Sequence, residues 1–175
     1  TVTSGTGAGK TQFIRELIYH FWATTTEKLA VISLEEDAGD SLAGLLALHV
    51  NKRITLPDVN IEDEEEEKEA YKSLYDDDRI SLYDYFGGMD DDNLFSKLRY
   101  YIDTGHKFIF LDHLSIIVSE YAGDGDERKR IDVIMTKLAK LAKETGAIIF
   151  LVVHLRNPDN KSKSFELGAY PTSND

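Results

Sequence analysis

The stretch Thr3-Ser4-Gly5-Thr6-Gly7-Ala8-Gly9-Lys10-Thr11 decides the fold of this chain. It is rich in glycine, and an amphipathic helical pattern follows it at once. Glycines let several backbone N–H groups point at one anion, and the positive end of a helix adds to the same point. The stretch therefore predicts a phosphate-binding loop over residues 4–11, with Lys10 on the β- and γ-phosphates and the Thr11 hydroxyl on Mg²⁺.

The helical pattern after this loop carries apolar residues at spacings of three and four. They are Phe13, Ile14, Leu17, Ile18, Phe21 and Trp22. One feature departs from the motif G-x-x-x-x-G-K-[ST], because Ser4 stands where the first glycine is expected. A flexible glycine-rich turn that happens to precede Lys-Thr is the alternative. The helix that follows, together with an acidic strand end later in the chain, favours the phosphate loop of a nucleoside triphosphatase.

That acidic strand end is Phe108-Ile109-Phe110-Leu111-Asp112, four apolar residues followed by an acid. This is the Walker B pattern, in which the carboxylate helps to hold Mg²⁺ opposite the hydroxyl of the phosphate loop. Many buried strands end in aspartate, so the pattern gains its weight from the phosphate loop. Together they predict a metal site shared by Thr11 and Asp112.

Helical and strand patterns alternate along the whole chain, and the strands are almost uniformly apolar. This combination predicts an α/β fold, a parallel sheet with helices on both faces. We expect strands at 29–34, 80–83, 108–111 and 147–153, besides one leading into the phosphate loop, and helices at 38–50, 62–74, 90–101 and 126–143. Ligands of such sheets bind at the carboxyl ends of the strands.

Two acids, Glu35 and Glu36, follow the strand at 29–34, which we expect beside the phosphate-loop strand or one removed from it. A carboxylate there can orient and deprotonate the water that attacks a γ-phosphate. We favour Glu35 over Glu36 as that base. The alternative role, an acid that complements the dipole of the helix that follows, suits Asp37 better.

His154 follows the last strand, where a polar side chain could sense the γ-phosphate; an ordinary surface histidine is the competing interpretation. The segment beyond it carries the polar and basic residues Arg156, Asn157, Lys161 and Lys163. A second basic cluster, Arg128-Lys129-Arg130, begins a helix, where it opposes the helix dipole and suggests a nearby anion. A solvated turn paired with Asp124, Asp126 and Glu127 explains that cluster equally well.

Composition limits the class of protein. The hydrophobic fraction of 42% suits one globular domain, there is no cysteine, and no apolar run is long enough to span a bilayer. The net charge of −12 argues against nonspecific binding of nucleic acid over the whole surface. Much of the acid is confined to short blocks at 62–67, 76–78 and 90–92, which leaves room for a small basic groove.

These motifs together resemble the RecA-like helicase domain of replicative hexameric DNA helicases. The similarity is greatest to the primase-helicases of short-tailed phages, relatives of Twinkle and DnaB. The stretches that carry it are residues 2–10, Leu34-Glu35-Glu36, Leu111-Asp112-His113-Leu114-Ser115-Ile116, Asp126-Glu127-Arg128-Lys129, Ile131-Asp132, Met135-Thr136-Lys137-Leu138 and His154-Leu155-Arg156-Asn157-Pro158. The phosphate loop of that family also begins with serine.

The resemblance implies an NTP-hydrolysing helicase motor with ATP or another NTP or dNTP as substrate and Mg²⁺ as cofactor. Lys10, Thr11 and Asp112 would bind the metal–nucleotide, Glu35 would be the general base and His154 the γ-phosphate sensor. Arg156, Lys161 and Lys163 would belong to a central DNA-binding loop, to which we add Asn157, Lys129 and Arg130 as candidates.

The family also implies partners. Its members form homo-hexameric rings and pull single-stranded DNA through the pore with 5′→3′ polarity. Candidate partners are a primase domain in the same chain and the replisome polymerase, in the cytoplasm of a phage-infected bacterium and without a membrane. We interpret residues 1–175 as one such domain cut from a longer protein. The family's arginine finger, worth about 10³–10⁵ in rate, would lie beyond it, so we expect very slow turnover by this piece alone.

Two alternatives stay open. One is a RecA- or KaiC-like ATPase, which would share the fold and the metal chemistry but would not unwind DNA. The other is a nucleotide-binding assembly module that no longer hydrolyses, although Lys10, Glu35 and Asp112 count against it. A kinase fits less well, because no lid or acceptor-substrate motif is visible.

Overall fold

The computed structural model describes residues 2–4, 9–52, 54, 64–76, 78–84, 90–112, 114 and 127–154, with the backbone alone at 2–4, 64, 66, 127, 128 and 154. Strands and helices alternate along the chain, as predicted. The described strands are β1 (Val2–Ser4), β2 (Lys28–Ser33), β3 (Ile80–Tyr83), β4 (His106–Asp112) and β5 (Ile148–His154). The described helices are α1 (Lys10–Thr24), α2 (Ala38–His49), α3 (Glu64–Tyr75), α4 (Asp91–Asp103) and α5 (Glu127–Thr145).

The five strands form one parallel sheet in the order β1-β5-β4-β2-β3. The prediction for β2 is wrong, since β5 and β4 both separate it from β1. The reason is that α1 crosses the sheet and contacts β1, β2 and β4, which opens a gap that the two later strands fill. The carboxyl ends of all five strands nevertheless share one edge, because every pairing is parallel.

Helices cover both faces of the sheet, as the apolar strands predicted. On one face α4 and α5 bury a stripe of leucine and isoleucine against β2 and β4. That core consists mainly of Ala30, Ile32, Leu94, Leu98, Ile109, Leu111, Ile134, Leu138, Leu141 and Leu151. On the other face α1, α2 and α3 close over a second core, which consists mainly of Ile14, Ile18, Leu29, Val31, Leu45, Leu74, Ile80, Phe108, Phe110 and Val152.

Aromatic rings fasten α1 to the second face. Phe21 stacks on Phe108 with centroids 4.4 Å apart, and Phe110 stacks on Phe150 at 4.7 Å with the planes almost parallel. Offset stacks of this kind add about 0.5–1.5 kcal/mol beyond the area that they bury. Phe13 is an exception to the predicted apolar stripe, because it lies beside the Ile14–Ile18 line and is 48% exposed.

Side chains fix several helix ends. Asp37 accepts from the N–H of Asp40, and Asp90 accepts from the N–H of Asn93, so each caps the helix that follows. Arg79 donates to the carbonyls of Trp22 and Thr25 at the end of α1.

The acidic helix predicted at 62–74 is α3. It is only partly exposed, because it buries Ala70 and Leu74. Within the described residues, none of the helices has the length and apolarity needed to cross a membrane.

Candidate nucleotide and metal site

The amino end of α1 lies at the carboxyl edge of the sheet, since Thr11 in its first turn contacts Asp112 at the end of β4. Gly9 precedes the helix with a φ of 79°, a left-handed conformation that glycine adopts without strain. Since glycine has no side chain, nothing on this residue caps the helix, and its first turn contains no acid. A helix end of this kind suits an anion, which makes it the candidate phosphate site.

Lys10 and Thr11 occupy the first turn of this helix. Lys10 is buried, with 7% of its surface exposed, at the point where the chain leaves Gly9. The Thr11 hydroxyl lies 3.4 Å from Oδ2 of Asp112, to which it donates. Gly5, Thr6, Gly7 and Ala8 lie outside the described residues.

Asp112 ends β4 and is 5% exposed. A small cavity of about 20 Å³ lies next to it, and its polar lining comes from Thr11, Arg15, Ser33, Glu36, Ser41 and Asp112. Apolar side chains complete the lining and make up most of it: Ile14, Ile18, Val31 and Leu45. A hydroxyl and a carboxylate at this distance are hard oxygen donors that fit a magnesium–triphosphate.

The carboxyl end of β2 lies beside Asp112, because β2 pairs with β4. Ser33 is paired in register with Asp112, and the N–H of Leu34 donates to the Asp112 carbonyl at 2.6 Å. Glu35 follows directly and is exposed, whereas Glu36 turns back and binds Arg15. The two acids that the sequence left as rivals thus have different surroundings.

The backbone of His154 ends β5 and lies between the carboxyl ends of β1 and β4. His154 is in register with Ser4, the first residue of the predicted phosphate loop. Because β5 lies between β1 and β4, its carboxyl end lies between the strand ends at Ser4 and Asp112. The sheet therefore gathers the ends at Ser4, His154, Asp112 and Leu34 along one edge.

The candidate DNA-binding residues are only partly described. Arg156, Asn157, Lys161 and Lys163 lie outside the described residues, as do His113 and Ser115. Lys129 is exposed near the start of α5. Arg130 donates to Asp91 at 2.9 Å, an acid on α4 that was not considered from the sequence.

Sequence reasoning missed the ion pair between Arg15 and Glu36, which lines the same small cavity as Thr11 and Asp112. A signal for it was present. Arg15 follows Thr11 by four residues, a spacing that places both side chains on the same face of a helix.

Comparisons with known proteins agree with this geometry. The model of the DnaB-like helicase C-terminal domain family matches residues 1–164. The chain belongs to this family. A DNA helicase/primase of Enterobacteria phage T3 is 36% identical over 171 residues, which cover 95% of this chain and 30% of that protein. The chain thus spans about a third of the length of this helicase relative.

Solved structures support the RecA-like fold. A DnaB-like replicative helicase superimposes with a TM-score of 0.70 at 19% identity, covering 87% of this chain and 38% of the other. A KaiC-like protein of Pyrococcus horikoshii gives 0.58 at 21% identity, covering 87% of this chain and 59% of the other. Fold likeness alone therefore does not separate these classes, and the family match assigns this chain to the helicases.

Proposed function

We propose that this domain is the NTP-hydrolysing motor of a ring-shaped replicative DNA helicase that moves 5′→3′ on single-stranded DNA. The observation that carries the proposal is the contact between Thr11 and Asp112, because it joins the two motifs that a magnesium–triphosphate requires. Membership of the DnaB-like helicase family supports it independently.

Nucleotide binding would rest on the amino end of α1. Lys10 supplies a positive charge at the helix terminus, and the first N–H groups of α1 supply donors for phosphate oxygens. Thr11 and Asp112 would hold Mg²⁺, which when bound neutralises charge on the β- and γ-phosphates. ATP fits this arrangement as well as any other NTP or dNTP, since the residues named here would contact the phosphates and the metal and not the base.

Glu35 is the residue that we assign as general base. It is exposed and follows the strand end that lies beside Asp112, a position from which a carboxylate could act on a water molecule near the γ-phosphate. Glu36 is engaged by the Arg15 guanidinium, and Asp37 caps α2. This division of roles supports the choice made from the sequence.

His154 would report the state of the γ-phosphate. The register of its backbone opposite Ser4, the first residue of the predicted phosphate loop, supports this role. A change there would pass directly into the segment that carries Arg156, Asn157, Lys161 and Lys163. We propose that this segment contacts DNA, with Lys129 and Arg130 as further candidates.

The assembly is a further part of the proposal. Six copies in a ring would place six small basic loops around one strand, which reconciles DNA binding with a net charge of −12. A primase region in the same protein and the replisome polymerase are the partners that we propose, in the cytoplasm of a phage-infected bacterium.

The test is a Glu35→Gln variant in the protein expressed from its full coding sequence. We expect hydrolysis to fall by about 10²–10⁴, the usual contribution of a general base, while nucleotide affinity stays unchanged. Unwinding of a forked duplex should be lost in parallel. Glu27→Gln, the same change at an exposed loop residue, is the matched control.

Full hydrolysis by the Glu35 variant would contradict the assignment of the base. Nucleotide-stimulated strand exchange without unwinding would favour a recombinase of RecA type. Nucleotide binding without hydrolysis in the wild-type protein would favour a non-hydrolysing assembly module.

A further inference from the structure

The geometry points to Arg15 and Glu36 as a positioning pair that holds Glu35 in place and ties it to the phosphate-loop helix. This inference rests on the proposed role of Glu35 and deepens it. Arg15 is on α1, one turn beyond Thr11, and Glu36 is next to the proposed base in the chain. The pair therefore joins the helix that would bind phosphate to the strand end that would activate water.

The contact between the two side chains is close. Nη2 of Arg15 lies 2.8 Å from each carboxylate oxygen of Glu36. The two side chains are 19% and 25% exposed, so solvent screens the pair less than it would at the surface. Charge-assisted bonds of this length hold a carboxylate in one orientation.

Glu35 is held from both sides of the chain. Before it, buried Leu34 donates its N–H to the Asp112 carbonyl. After it, the N–H of Glu36 donates to Ser33 Oγ at 3.1 Å, and the Glu36 carboxylate accepts from Arg15. With both neighbours fixed, the backbone of Glu35 has little freedom, and its side chain leaves the turn on the exposed side.

Gly44 makes room for this arrangement. A Cβ at this position of α2 would lie 2.5 Å from Nε and 2.7 Å from Cζ of Arg15. Contacts that close do not occur, so any larger residue would displace the guanidinium. The displaced atoms belong to the flexible end of one side chain, and the helix itself would not have to move.

Stability alone does not account for the pair. Partly buried ion pairs are often no more stabilising than well-packed apolar residues of similar size. Within the described part of the chain, Nε of Arg15 is buried and lacks a hydrogen-bond partner, which adds a cost. A role in orienting the neighbouring base explains why a charged pair lies beneath the site.

The first test is Arg15→Ala in the protein expressed from its full coding sequence, with steady-state hydrolysis of ATP as the readout. Misplacement of a catalytic group by about 1 Å can reduce the rate 10²-fold, so we expect kcat to fall about 10- to 100-fold. KM for ATP should change less than about threefold, because the phosphate contacts remain. Arg15→Lys should restore part of kcat, and Arg99→Ala on the exposed side of α4 is the control.

The second test uses Gly44→Ala and the double variant with Arg15→Ala. The alanine should lower kcat through the guanidinium alone, since the nearest atoms that its Cβ would meet all belong to Arg15. In the Arg15→Ala background it should therefore have no further effect. Such non-additivity is a readout that general damage to the fold would not produce.

The outcomes separate this inference from the proposed function. If Glu35→Gln abolishes hydrolysis while Arg15→Ala leaves kcat unchanged, or raises KM alone, the positioning role is overturned. It is overturned as well if Gly44→Ala lowers kcat equally with and without Arg15. If Glu35→Gln retains hydrolysis, the assignment of the base fails first, whatever the Arg15 variants do.

Discussion

Thr11 and Asp112 are 101 residues apart in the chain, yet the hydroxyl of the first lies 3.4 Å from the carboxylate of the second. The sheet order explains this proximity. β1 and β4 are separated by β5 alone, so the helix that starts after β1 begins next to the end of β4. The central claim is that this meeting point holds a metal–triphosphate.

Asp112→Asn tests the metal site while preserving shape. The amide removes the negative charge that Mg²⁺ needs, so we expect Mg²⁺-dependent affinity for a fluorescent ATP analogue to fall about 10- to 100-fold. Affinity measured in EDTA should change little. Asp132→Asn, the same change on the exposed side of α5, is the control, and an equal loss in both variants would contradict the assignment.

Replacement by alanine should reduce stability far more at Phe110 than at Phe13. Phe110 is 1% exposed and stacks on Phe150, so Phe110→Ala should lower the free energy of unfolding by about 3–5 kcal/mol. Phe13 is 48% exposed, and Phe13→Ala should change it by less than about 0.5 kcal/mol. Urea unfolding followed by circular dichroism measures both; similar losses would show that the packing of α1 is misassigned.

The cap on α4 can be tested in isolation. Asp90 accepts from the N–H of Asn93 at 2.8 Å, so Asp90→Ala should destabilise the protein by about 1 kcal/mol. Asp84→Ala, at an exposed residue after β3, should have almost no effect. Thermal unfolding compares the two, and equal midpoints would exclude a capping role.

His106 should make stability depend on pH. Burial lowers its pKa from the ordinary 6.5, although its bond to the Tyr101 carbonyl and the charge of Asp78 act in the opposite direction. The neutral ring donates from Nδ1 to that carbonyl and accepts from Ser81 at Nε2. Because the unfolded chain takes up the proton at higher pH than the folded one, this contribution is complete above pH 6.5 and is lost as the pH falls below it.

Unfolding by urea at a series of pH values from 7.5 to 5 checks this expectation. We expect the free energy of unfolding to fall more steeply with decreasing pH in the wild type than in a His106→Gln variant. His49 has a pKa lowered by burial as well, so His49→Gln is the companion variant that removes its share. A slope that neither substitution alters would contradict the assignment.

The sequence predicted those parts of the fold that local patterns encode. Every strand and helix that it placed within the described residues is present, because apolar periodicity reports which face of an element is buried. Asp112 could be assigned to a strand end for the same reason. An acid at the start of α2 follows from equally local chemistry, and Asp37 there caps the helix.

The strand order and the ion pairs could not be obtained in that way. The insertion of β4 and β5 between β1 and β2 depends on how α1 packs across the sheet. The apolar periodicity of a single segment carries no information about that packing. Arg130 binds Asp91, 39 residues away, and Arg15 binds Glu36, 21 residues away. Such pairs depend on which helices and strands lie next to one another in the fold. Only the four-residue spacing of Arg15 from Thr11 hinted at one of them.

A crystal structure of the protein expressed from its full coding sequence, with Mg²⁺ and a non-hydrolysable ATP analogue, tests the central claim most directly. We predict the triphosphate at the amino end of α1 beside Lys10, with Mg²⁺ between the Thr11 hydroxyl and the Asp112 carboxylate. A triphosphate bound elsewhere on the sheet, or a metal ion far from both side chains, would contradict the account.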